Sequence, residues 1–126
     1  MSRRFIMIAA LLGFFGVAIG AFGAHGLEAT LEENGRMDTF ETASQYHLVH
    51  ALALLAVGWF ASQNSTRLVL WAGYLLIAGT LIFSGSLYIL AIADLSFMGA
   101  IAPIGGTALL AGWACLGYAA WKASPE

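Results

Sequence analysis

The chain has 126 residues, 60% of them hydrophobic and 10% charged. Soluble domains carry about a quarter charged residues, so water cannot be the solvent for most of this surface, whereas hydrocarbon can. Five of the seven acids, Glu28, Glu32, Glu33, Asp38 and Glu41, stand in one stretch and the net charge is −2, which excludes a basic nucleic-acid face.

The first apolar run covers residues 5–24, long enough at ~1.5 Å per residue to cross a ~30 Å hydrocarbon layer. Arg3 and Arg4 precede it, and Ala21-Phe22-Gly23-Ala24 loosely resembles a leader cleavage site. The run is longer than the ~7–15-residue core of a secretory leader, so a membrane helix is the expected reading. Within it, Gly16 and Gly20 form a GxxxG motif that Gly13 and Gly23 extend. Such small faces let helix backbones approach closely. The motif fits either a helix of the same chain or a homo-oligomer joined through the first helix.

The connector from Gly26 to Thr39 is acidic, yet it carries Leu27 and Leu31 four apart, followed by Met37. This spacing predicts a short amphipathic helix in the membrane interface, ended by Asn34-Gly35. The second long run, residues 40–61, begins with polar turns and is fully apolar only from Ala51. Ser65 or Thr66 is a suitable N-cap for the third, residues 68–93, and Asp94 or Ser96 for the fourth, residues 97–121, which contains Pro103. The expected fold is therefore all-α: four transmembrane helices in one bundle, residues 1–126 forming a single domain.

Arg3, Arg4, Arg67 and Lys122 fall at one membrane face and Arg36 alone at the other, so the positive-inside rule places both termini in the cytoplasm. Trp59, Trp71, Tyr118 and Trp121 read as interfacial belt residues, and Trp113 as packing. Cys115, the single cysteine, lies in an apolar run and has no partner for an intrachain disulfide.

With this topology the polar groups collect in the outer half. His25 ends the first helix, and Glu41, Tyr46, His47 and His50 open the second. Ser84 and Tyr88 lie on the third; Pro103, Gly105 and Gly106 lie on the fourth. Together they predict a polar, glycine-rich chamber above an apolar base. His47 and His50 are i, i+3, a spacing that can offer two imidazoles to one ligand, with His25 and Glu41 as further donors. This set would suit a metal ion or a proton relay; the plainer role, interhelical polar bonding, is preferred. Gly105-Gly106 beside a proline suits a hinge or a ligand approach.

Four segments resemble a known family: Gly20-Ala21-Phe22-Gly23-Ala24-His25-Gly26-Leu27, Phe40-Glu41-Thr42-Ala43 with Tyr46-His47-Leu48-Val49-His50-Ala51-Leu52-Ala53, Phe83-Ser84-Gly85-Ser86-Leu87-Tyr88, and Pro103-Ile104-Gly105-Gly106. The chain is similar to the small bacterial membrane proteins grouped as domain of unknown function 423, akin to eukaryotic transmembrane protein 256. The resemblance implies a four-helix protein of the bacterial inner membrane and supplies no activity or catalytic residue.

No nucleophile–base pair, His-Glu-x-x-His or phosphate loop is present. The expected function is a non-enzymatic protein that binds a lipid or amphiphile or acts in membrane assembly, with membrane lipids as partners and no cofactor. The alternatives are an oligomeric small transporter or channel and a histidine-based enzyme or metal-binding protein.

Overall fold

The computed structural model describes residues 2–123, which form five helices: α1 Ser2–His25, α2 Glu28–Asn34, α3 Met37–Gln63, α4 Arg67–Ala93 and α5 Met98–Lys122. The long helices pack in sequence, α1 on α3, α3 on α4 and α4 on α5, the last pair most extensively. Phe5 at the start of α1 meets Gly73 and Tyr74 at the start of α4, and Gly58 near the end of α3 touches Ile6. The helices thus alternate in direction. Arg3, Arg4, Arg67 and Lys122 share one end of the bundle, while α2, His25 and Asp94 share the other.

Among the described residues, three helices are long and apolar enough to cross a membrane: α1, α4 and α5. The expectation of four such helices is corrected here. α3 is as long as α4, but its first turns are polar and His47, His50 and Gln63 dilute the apolar stretch that follows. It lies between α1 and α4 and buries ten residues along its length. Of its polar residues His47 and His50 are buried, whereas Asp38, Glu41, Gln45 and Gln63 are exposed.

Local chemistry explains the helix limits. Thr66 caps α4, its hydroxyl accepting from Val69 N at 3.4 Å. Gly35 ends α2 in the left-handed region at φ 66°, where Gly35 N–H donates to Glu32 O and Arg36 N–H to Leu31 O. Asp94 does not cap α5 as expected. It ends α4 at φ 55° and pairs with Arg36 at 3.4 Å, while Phe97 occupies the N-cap of α5 without a side-chain bond. Pro103 lies in the second turn of α5 and is exposed.

The core has two parts. At the cationic end Phe5, Leu54, Val57, Val69 and Leu76 are at most 1% exposed. At the acidic end Leu31 of α2 is fully buried against Phe40 and Ala91. α2 is therefore more than an interfacial helix. It closes that end of the bundle, and Asn34 Nδ2 donates to Ala91 O at 3.0 Å and Ile92 O at 3.2 Å, satisfying the last turn of α4. Outward-facing Leu11, Phe14, Val17, Leu81, Ile104 and Leu110 present an apolar exterior, and Trp59, Trp71 and Trp121 are exposed near the cationic end.

Candidate functional site

The glycines of α1 are spent within the chain. Gly16 receives Leu48 and His47, Gly20 lies against Ser44, and a Cβ at Gly23 would collide with the Phe40 ring. These contacts seat α1 closely on α3; Gly13 has nothing within 4 Å. On the other side of the bundle a Cβ at Gly105 would run into the backbone of Phe83, and one at Gly112 into Leu76. Gly105 is thus a point of close α4–α5 contact, and a Cβ at Gly106 would make ordinary contact with the Phe83 ring.

α1 touches α4 at its first turns, through Phe5, and then diverges from it. The gap is a groove of about 270 Å³ lined by Leu12, Phe15 and Ile19 of α1, His47 of α3, and Thr80, Leu81, Ser84, Gly85 and Tyr88 of α4. Phe15 and Leu81, both exposed, form its outer rim. The apolar core of the cationic end closes it below, and the Leu31–Phe40–Ala91 cluster with Tyr88 closes it above. Its volume falls slightly under the ~300–1,000 Å³ of drug-sized sites, so one chain or one ring fits.

His47 forms the back of this groove and is 6% exposed. Its Nδ1 lies 2.9 Å from the Tyr88 hydroxyl, and its Nε2 has no hydrogen-bond partner. The Leu12 backbone is in electrostatic range of the ring, yet no bond to Nε2 closes. That carbonyl already belongs to the α1 ladder. The neighbouring hydroxyls spend their protons elsewhere, Thr80 Oγ1 donating to Leu76 O at 2.7 Å and Ser84 Oγ to Ala43 O at 2.9 Å, and neither oxygen is in bonding position to Nε2. A buried unpaired ring nitrogen costs about 1–3 kcal/mol; an occupant of the groove would remove that cost.

His50, one turn on, faces the other way. Its Nδ1–H donates to Tyr46 O at 2.8 Å and its Nε2 accepts from Trp113 Nε1 at 3.0 Å. Both nitrogens are satisfied, and the network assigns a neutral Nδ1–H imidazole. Tyr46 stacks on His50 and packs against Phe83. The two imidazoles therefore belong to separate clusters on two flanks of α3. His25 and Glu41 are exposed and join neither. Among the described residues no three His, Cys, Asp or Glu side chains come together as a metal site.

Of the predicted chamber, the groove brings together His47, Ser84 and Tyr88; Tyr46, His50 and Gly105 lie on the α4–α5 side, and Pro103 faces outward. Leu12, Phe15, Ile19, Thr80, Gly85 and Ser44 went unremarked in the sequence as site residues. Gly85 carried a local signal, since it sits in a resembling segment and its missing side chain leaves space.

Three long apolar helices around a more polar fourth, with a lipid-facing exterior, define a multi-pass integral membrane protein. The model of the family described as "Protein of unknown function (DUF423)" matches residues 19–106, and the chain belongs to that family. It is 44% identical to UPF0382 membrane protein SH2409 of Staphylococcus haemolyticus, over 95% of this chain and 97% of the relative. It is 42% identical to UPF0382 membrane protein YwdK of Bacillus subtilis, over 95% and 98%. It is also similar to UPF0382 inner membrane protein YgdD of Escherichia coli, at 39% identity over 92% and 88%. The chain is an inner-membrane protein of this family. No solved structure matches it.

Proposed function

We propose that the protein is a non-enzymatic membrane protein that binds an amphiphile in the groove between α1 and α4. The observation that carries this reading is the unpartnered His47 Nε2, buried at the back of an otherwise apolar groove. Isolated polar atoms in hydrocarbon are costly and mark sites where a partner is taken. The lining offers one free polar atom and a large apolar wall, the pattern of a ligand with an apolar body and a single polar contact. The groove is complete within one chain, so binding requires no second copy. A continuous hydrophilic path is opposed by the dry layer of Phe5, Leu54, Val57, Val69 and Leu76. In this reading the end carrying Arg3, Arg4, Arg67 and Lys122 faces the cytoplasm, and the groove lies toward the opposite face.

Gly85 supplies the test. It lines the groove, and a Cβ there meets nothing within 4 Å, so the side chain of Gly85→Leu starts from open space and occupies the groove. Native mass spectrometry of the protein in mild detergent should show a retained small molecule or lipid in the wild type and its loss in Gly85→Leu. Identical spectra from both proteins would exclude the groove as a binding site.

A further inference from the structure

We infer that the occupant of the groove presents an uncharged carbonyl oxygen to His47 Nε2–H, as an acyl ester or a quinone does. This rests on the amphiphile reading above and adds the chemistry of the contact.

The bond to Tyr88 places the imidazole proton on Nε2. In the 2.9 Å contact with His47 Nδ1 the phenol is the stronger donor and the unprotonated ring nitrogen the stronger acceptor, so the Tyr88 proton goes to Nδ1. A neutral imidazole then carries its own proton on the other nitrogen. The free atom is thus a donor that lacks an acceptor.

The walls decide what kind of acceptor enters. The groove is lined by Leu12, Phe15, Ile19, Leu81 and Gly85 beside the polar floor, and no Lys or Arg is among its lining residues. A phosphate or carboxylate would bring a charge into an apolar site without a counter-ion, which low-dielectric surroundings strongly disfavour. A neutral carbonyl meets the donor and keeps its apolar substituents against the walls. The missing Cβ at Gly85 leaves room for the atoms flanking the carbonyl.

The experiment compares a diester phosphatidylcholine, its diether analogue with the same chains, and a short-chain alkyl benzoquinone. Each is titrated into the delipidated protein in detergent and read by native mass spectrometry. One hydrogen bond to a buried donor predicts about tenfold tighter binding of a carbonyl-bearing probe than of the ether. The preference should vanish in His47→Phe and return in His47→Gln, whose amide keeps a donor. Tighter ester binding identifies an acyl lipid; tighter quinone binding identifies a ring ligand. Equal binding of ester, ether and quinone, all lost in Gly85→Leu, would overturn the carbonyl contact while leaving the groove as a binding site. No binding of any probe would overturn both. A 15N spectrum of the wild type that puts the His47 proton on Nδ1 would also overturn the inference, whatever the titrations give.

Discussion

Two alanine substitutions, identical in chemistry, should have opposite effects because one glycine is packed on backbone and the other on nothing. At Gly105 an added Cβ would run into the nitrogen and Cα of Phe83. No side-chain rotation can relieve that contact, so α5 must move away from α4. At Gly85 the added methyl meets no atom within 4 Å. Both variants gain the same helix propensity, about 0.8–1.0 kcal/mol for Gly to Ala, so their difference isolates packing. Overpacking a tight contact costs about 1–3 kcal/mol, and a backbone-to-backbone obstruction belongs at the upper end. Gly85→Ala should therefore be neutral or more stable than the wild type, and Gly105→Ala about 2–3 kcal/mol less stable than Gly85→Ala. Reversible unfolding of each variant in mixed micelles reads the difference. Two variants within about 0.5 kcal/mol of each other, inside ordinary surface-substitution scatter, would refute the close α4–α5 contact.

Other consequences follow from single bonds. Trp113→Phe removes the donor to His50 Nε2 and should cost about 1–3 kcal/mol by the same unfolding assay, with the His50 15N signals shifting and those of His47 unmoved. Asn34→Ala frees the last turn of α4 from α2. Amide exchange over residues 28–36 should then accelerate by about tenfold or more, equivalent to ~1.4 kcal/mol of local stability, while exchange at Leu54 and Leu76 stays slow. Cysteines placed at Ser2 and Ala123 should both be shielded from an impermeant thiol reagent added outside intact cells, since the cationic end carries both.

The features that were legible in the sequence are those whose chemistry is local. Thr66 and Asn34-Gly35 announced a helix start and a helix stop because a cap acts within a few residues of itself. The apolar runs marked the long helices for the same reason. What depended on neighbours was less accessible. The run of residues 40–61 looked sufficient for a spanning helix, but its polar first turns and histidines lower the apolarity of α3, and only the two histidines are buried, His47 against α1 and α4 and His50 against α5. Depth along the bundle could be read from sequence, so the polar residues were placed in one half. Direction around α3 could not. Residues three apart on a helix differ by about 60° in heading, enough to send His47 to α1 and α4 and His50 to Trp113 on α5. Asp94 illustrates the same limit. Its position suggested a cap for α5, but Arg36, distant in sequence, draws it to the α2 side. The groove itself has no sequence signature, because it is the space left where α1 leaves α4 after Phe5.

The most direct test of the account is a structure of the wild-type protein in a lipid nanodisc at a resolution that shows bound small molecules. The account predicts non-protein density between α1 and α4, running past Phe15 and Leu81, with one polar atom about 3 Å from His47 Nε2. A groove closed by α1 against α4, or an Nε2 bonded to the Leu12 carbonyl or to water alone, would contradict it.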